Sequence, residues 1–114
     1  MKILLIGCGY QAYGAALDLI QFAKPKTLIL ADAFPEAAKK LQTWLKANNT
    51  EILTLDASDV SALVKAANGC SLILNAAPYK FALNITQAAI QAKVPMVDLG
   101  GDTNMVLKQL ELSK

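Results

Sequence analysis

The stretch Ile3-Leu4-Leu5-Ile6-Gly7-Cys8-Gly9-Tyr10-Gln11-Ala12 decides how the rest of the chain is read. A run of four apolar residues stops at a glycine, and Gly7, Gly9 and Ala12 match the spacing G-x-G-x-x-G/A. A buried strand that turns into a helix around a bound pyrophosphate needs these residue types in this order. Gly7 allows the sharp turn out of the strand. Gly9 lets bare backbone approach the anion, and Ala12 keeps the helix close to the sheet. The first amides of that helix, near Tyr10 and Gln11, lack intrahelical acceptors and point at the ligand. The same residues also fit an ordinary tight strand-to-helix turn, so the flanking sequence has to separate the two.

Further along, short apolar runs recur at residues 28–30, 52–55, 72–74 and 94–99, the last interrupted by Pro95. Each has the length of a strand buried on both faces, as in a parallel sheet covered by helices. Helical spacing fills the intervals. Ala12, Ala15, Ala16, Leu19, Ile20 and Ala23 form one stripe; Ala37, Ala38, Leu41, Trp44 and Leu45 form a second, opened by Pro35 and closed by Asn48-Asn49. Ser58 or Asp59 caps a third through Val60, Leu63, Val64 and Ala67, which Gly69 ends. A fourth helix is expected over about residues 79–92 and a fifth over about 103–112. The alternation βαβαβαβαβα predicts a single domain over residues 1–114. It is an α/β, Rossmann-type, doubly wound parallel sheet of about five strands, in the order 3-2-1-4-5, with helices on both faces.

Composition supports a packed core: 54% of the 114 residues are hydrophobic and 18% charged, which excludes disorder and low-complexity architectures. The net charge of +2 is carried by basic residues scattered along the sequence, so neither a nucleic acid nor a membrane is expected as partner. No apolar run approaches the roughly 20 residues of a bilayer helix. The amino-terminal run is too short for an export signal, and the expected compartment is the cytoplasm. Histidine is absent and there are two cysteines, so no metal site of the usual zinc type can form.

Several residues at the carboxyl ends of the expected strands are candidates for the site, because ligands of such sheets bind there. Asp32 lies 25 positions after Gly7 and ends the second strand. A carboxylate there accepts hydrogen bonds from adenosine ribose hydroxyls and repels a 2′-phosphate, which favours NAD over NADP. Lys39 and Lys40 lie too far along the next helix to reverse that preference; a helix cap is the competing role for Asp32. Asp56 and Ala57 follow the third strand, where the adenine edge or a plain turn fits equally well. Asn75, Ala76, Ala77 and Pro78 follow the fourth strand: the alanines leave room for the nicotinamide half and Asn75 offers an amide, unless the segment is only a loop whose proline starts a helix. Asp98, with Gly100 and Gly101, closes the fifth strand beside a nicotinamide or substrate, or caps the last helix. Lys80 reads as a solvated lysine at that rim.

Cys8 and Cys70 fall at opposite ends of neighbouring strands, roughly 16 Å apart. A disulfide needs Cα atoms within about 7 Å, so both thiols are expected free. A helix N-terminus beside Cys8 is expected to lower its pKa.

Taken together, Met1-Lys2-Ile3-Leu4-Leu5-Ile6-Gly7-Cys8-Gly9, Leu55-Asp56-Ala57-Ser58-Asp59, Asn75-Ala76-Ala77-Pro78-Tyr79 and Val97-Asp98-Leu99-Gly100-Gly101 resemble the N-terminal part of the saccharopine dehydrogenase family, most of all its lysine 6-dehydrogenase branch. The resemblance implies an NAD(P)-dependent oxidoreductase acting on the C–N bond of an amino acid such as lysine or saccharopine. It implies that Gly7, Gly9 and Ala12 bind pyrophosphate, Asp32 the ribose and residues 75–78 the nicotinamide half, with residues 98–101 bordering the substrate. Family members continue into a further strand and a catalytic and dimerisation domain, so the full-length form is expected to be a homodimer. These 114 residues alone are expected to bind cofactor weakly and to turn nothing over. An NAD-sensing regulatory domain of the potassium-transport type is the alternative, disfavoured by Ala76-Ala77-Pro78 where an acid and an asparagine are typical. An epimerase-like relative lacks support, since neither Tyr13 nor Tyr79 is followed four residues on by lysine.

Overall fold

The computed structural model describes residues 1–99. Five strands, β1 (Lys2–Ile6), β2 (Thr27–Asp32), β3 (Thr50–Thr54), β4 (Leu72–Asn75) and β5 (Met96–Asp98), pair in parallel in the order β3-β2-β1-β4-β5. This is the sheet that the alternation predicts. Four α-helices, α1 (Tyr10–Asp18), α2 (Pro35–Leu45), α3 (Val60–Ala67) and α4 (Ala82–Ala92), connect the strands. The fifth helix expected over 103–112, and Gly100 and Gly101, lie outside the described residues.

Period-two alternation sorts the strand side chains to two cores. Ile3 and Leu5 of β1 with Leu28 and Leu30 of β2 pack against Ala12 and Ala16 of α1 and Ala38, Leu41 and Leu45 of α2. Leu4, Ile6, Ile29 and Ala31 point the other way, to Leu63 and Ala67 of α3 and Ile85, Ala88 and Ala89 of α4. Both faces of β1 and β2 are thereby dry. At about 25 cal/mol per Å² of apolar surface removed from water, these four-deep aliphatic layers dominate the folding energy. Strand β3 departs from the expected burial on both faces: Glu51 and Thr54 are exposed and Ile52 and Leu53 only half-buried. It is the sheet edge, and no helix among the described residues lies beyond it to cover it. β5, the outermost strand on the other side among the described residues, is similarly open at Val97.

Helix ends follow local chemistry. Pro35 starts α2 at a position where its missing N–H is no loss. The Asp59 carboxylate accepts from the Ala62 amide (3.1 Å) and caps α3, and Gly69 (φ +83°) turns the chain towards β4. A 3₁₀ turn, Tyr79–Phe81, precedes α4, which splits the single helix expected over 79–92. Helix α1 widens into one π-helical turn, Leu19–Ala23, whose last bond runs from the Lys24 amide to the Leu19 carbonyl (3.0 Å). Three helical segments close on lysines in the left-handed region, Lys24 (φ 47°), Lys46 (φ 53°) and Lys93 (φ 58°). Lys46 therefore ends α2 before Asn48-Asn49. Asn49 instead ties β3 to β2, its amide donating to the Pro25 carbonyl (2.8 Å) and its carbonyl accepting from the Leu28 amide (2.8 Å).

Gly14, exposed in the middle of α1, has no neighbour within 4 Å of where a Cβ would stand. Gly14→Ala is expected to raise stability by about 0.5–1 kcal/mol, through the lower backbone entropy of the unfolded chain. A shift of the urea midpoint to higher concentration measures it.

Candidate functional site

At the carboxyl end of β1 the chain bends through Gly7 (φ +93°), whose amide donates to the Ala31 carbonyl (2.8 Å). A Cβ on Gly7 would stand 2.6 Å from the Ala77 nitrogen and 2.7 Å from the Ala76 carbonyl carbon and oxygen. The β1 turn and the β4 turn thus touch backbone to backbone, and the Ala76 amide donates to the Ile6 carbonyl (2.8 Å). Gly7 is required twice, by its dihedral and by this contact.

Gly9 differs. Its φ of −75° suits any residue, and a Cβ there would meet nothing within 4 Å. No described protein atom demands a glycine at this position; the open space is in front of the helix N-terminus. Ala12 donates its amide back to the Gly9 carbonyl (2.9 Å), whereas the Gly9, Tyr10 and Gln11 amides have no protein acceptor among the described residues. Three free donors at the positive end of a helix, with bare Cα beside them, fit a pyrophosphate. Ala12 is fully buried against the sheet, in keeping with close helix–sheet packing. Gln11 reaches across the rim, its side-chain amide donating to the Ala76 carbonyl (3.2 Å).

Asp32 holds this corner together. One carboxylate oxygen accepts from the Cys8 amide (2.8 Å) and the other from the Phe34 amide (2.8 Å). The acid so placed fixes both the glycine turn and the start of the β2–α2 connection, and each oxygen keeps a further lone pair for an incoming hydroxyl. Beside it lies a cleft of about 270 Å³ lined by Cys8, Gly9, Tyr10, Tyr13, Glu36, Ala37 and Lys40. Distance along the sequence is a poor guide to Lys40, which lies in the second turn of α2 and still borders the glycine turn. Its one legible signal is the i, i+4 spacing from Glu36, which puts both on the same helix face. Lys39, Trp44 and Lys46 line a wider groove of about 750 Å³ that continues past Tyr13. Trp44, expected in the buried stripe of α2, is 48% exposed and rests on the Tyr13 ring at 5.0 Å between centroids.

The other candidates divide by burial. Asn75 is 1% exposed: its oxygen accepts from the Ala77 amide (3.0 Å) and its nitrogen donates to Asp98 (3.4 Å). Its side chain shapes the β4 turn and links β4 to β5. Ala76 and Ala77 are buried, one in each core, and the peptide between them is what Gly7 lies against. Pro78 is exposed at the rim, with Tyr79 and Lys80, whose ammonium lies 5.1 Å over the Phe81 ring. Asp56 is exposed and forms a turn, accepting from the Ser58 hydroxyl (2.7 Å) and amide (2.9 Å); these two bonds hold its carboxyl below the usual range. Ala57 is buried, and its carbonyl accepts from the Asn84 amide (3.4 Å).

Cys8 and Cys70 are free thiols, as expected, and both are buried. The expectation of a lowered Cys8 pKa is overturned. Burial and then the neighbouring Asp32 carboxylate push the thiol up to about 12, outweighing the helix N-terminus. The unfolded thiol ionises near 9, so this group's stabilising contribution is complete below pH 9 and is lost as pH rises towards 12. Cys8→Ala is expected to remove that part of the alkaline loss of stability, read from urea midpoints across this range. In the native wild type, thiol reagents at neutral pH are expected to leave Cys8 unmodified.

A family model described as the saccharopine dehydrogenase NADP binding domain matches residues 3–113. Among solved structures, the ligand-free saccharopine dehydrogenase (L-Glu forming) of Saccharomyces cerevisiae superposes with a TM-score of 0.72 at 22% identity, over 94% of this chain and 23% of that one. A dTDP-glucose 4,6-dehydratase from Streptomyces venezuelae with NAD bound gives 0.67 at 18% identity, over 82% of this chain and 37% of that one. A uronate dehydrogenase variant from Agrobacterium tumefaciens complexed with NAD gives 0.61 at 20% identity, over 85% and 39%. At such identities the structural likeness shows the fold alone. The chain spans under two-fifths of the length of each of these three proteins.

Proposed function

Because the chain belongs to the saccharopine dehydrogenase NADP-binding domain family, we propose that its glycine corner holds NAD for an oxidoreductase acting on the C–N bond of an amino acid such as lysine or saccharopine. The single observation that carries this reading is Gly9, a glycine with open space in front of it and three unpaired amides around it. Gly9, Tyr10 and Gln11 take the pyrophosphate through their backbone amides, and Gly7, whose own amide is held by the Ala31 carbonyl, bends the chain so that they face it. Asp32 takes the adenosine ribose, and residues 75–78 and Asp98 form the rim beside the nicotinamide half. When bound, the nicotinamide supplies the hydride acceptor. The chain's own residues bind and orient it, and the amino-acid substrate is met by residues of a catalytic domain. The lysine 6-dehydrogenase branch, a cytoplasmic location and a homodimeric full-length enzyme belong to the same proposal.

Asp32 sets the preference for NAD. Its charge next to the ribose repels a phosphate on the 2′-oxygen. The second reading, NADP, rests on Lys40, an ammonium-bearing side chain lining the same cleft. Calorimetric titration with NADH and NADPH separates them. Tighter NADH binding, unchanged within about twofold by Lys40→Ala, is the expected result. Tighter NADPH binding that Lys40→Ala abolishes would establish the second reading in its place.

A further inference from the structure

The lysines scattered along the sequence are gathered by the fold. Helices that return between parallel strands end beside the strands' amino termini, so their last residues share one face with the strand starts. Lys24, Lys46 and Lys93 close three helical segments there, and Lys65 lies in the last turn of α3. Lys2 and Lys26 stand at the starts of β1 and β2, joined by the bond from the Lys26 amide to the Met1 carbonyl (2.7 Å). All six are exposed. Of the described acids, Asp32, Glu36, Asp56, Asp59 and Asp98 belong to the opposite, carboxyl end of the sheet; Asp18 and Glu51 alone lie towards the basic side. Three of the six lysines occupy left-handed positions that glycine or asparagine fills at less strain, and each adds a cation to the same face.

This face also carries an exposed ring. Phe22, on the π-helical turn, is 79% exposed. We propose that the amino-end face of the sheet is a docking surface for an anionic lipid bilayer, with the lysines against headgroups and Phe22 at the headgroup–acyl boundary. Clustered lysines beside an exposed aromatic ring are the makeup of an interfacial contact. Nucleic-acid recognition draws on arginine for its planar, bidentate contacts, and this chain has none. The dinucleotide corner is at the other end of every strand, so the two surfaces work without obstructing each other.

The test is co-sedimentation of the full chain with vesicles of phosphatidylcholine, with and without phosphatidylserine, at low and high salt. Binding to the phosphatidylserine vesicles alone, lost in high salt and weakened by Phe22→Ala, is expected. Lys24→Gly/Lys46→Gly/Lys93→Gly removes three charges and relieves three left-handed side chains. It is expected to melt no lower than wild type and to partition about a hundredfold more weakly, at about fivefold per lysine. Lys80→Glu, at the opposite rim, is expected to leave partitioning unchanged. Absence of binding to phosphatidylserine vesicles, equal loss in the Lys80 variant, or equal or tighter binding to polyuridylate would each overturn the proposal.

Discussion

Gly7→Ala is expected to lower stability by about 3–5 kcal/mol, a large fraction of the roughly 5–15 kcal/mol that holds a domain together. The left-handed dihedral accounts for about 1–2 kcal/mol of this. The remainder comes from a methyl group driven into peptide atoms of Ala76 and Ala77, at 2.6–2.7 Å, in a turn that cannot yield cheaply. Those peptides are fixed by the bond from the Ala76 amide to Ile6 and by the Asn75 side chain on the Ala77 amide. Urea unfolding of the purified variant measures the change. A loss under about 1 kcal/mol would show that the two turns can part.

Gly9→Val separates the site from the fold. The added side chain enters open space at a dihedral that valine accepts, so stability is expected to change by less than about 1 kcal/mol. Dinucleotide affinity is expected to fall about a hundredfold or more, equivalent to about 2.7 kcal/mol, because branched methyl groups occupy the position in front of the free amides. Calorimetry against NADH on wild type and variant, with matched melting curves, gives the result. Unchanged affinity in the folded variant would move the pyrophosphate away from this corner and with it the reading of Asp32. The two glycines, two residues apart in one motif, thus have opposite signatures: one sustains the fold and the other the ligand.

Much of this is legible from residue order. The five apolar runs, the two kinds of spacing between them and the glycine motif specify the sheet order, because parallel connections leave few topologies open. Asp59 as a cap and the free state of Cys8 and Cys70 follow from local chemistry and strand length. What cannot be read depends on contacts between segments distant in sequence. The peptide between Ala76 and Ala77 lies against Gly7, which no inspection of residues 75–78 alone reveals. Asn75 is turned inward by an amide two residues on and by Asp98 across the sheet. Lys40 borders the glycine turn because α1 and α2 share one face of the sheet. The Cys8 pKa goes against expectation because a nearby helix terminus is visible in the sequence, whereas burial and the reach of Asp32 are not. Burial falls short at β3 because its apolar content says nothing of whether a neighbour lies beyond it.

The order β3-β2-β1-β4-β5 has a consequence for the nascent chain. By the time Thr54 has left the ribosome, β3, β2 and β1 can already pair, and β1 is then an outer strand with an unmatched ladder of peptide groups along Ile3–Ile6. Its partner β4 is synthesised only at 72–75, a delay of roughly one to four seconds at ordinary translation speeds. During that interval the future centre of the molecule is a sticky margin, open to other unfinished chains. A chaperone that holds nascent chains is expected to engage this protein most strongly in that window, and to let go once Leu72–Asn75 has been added.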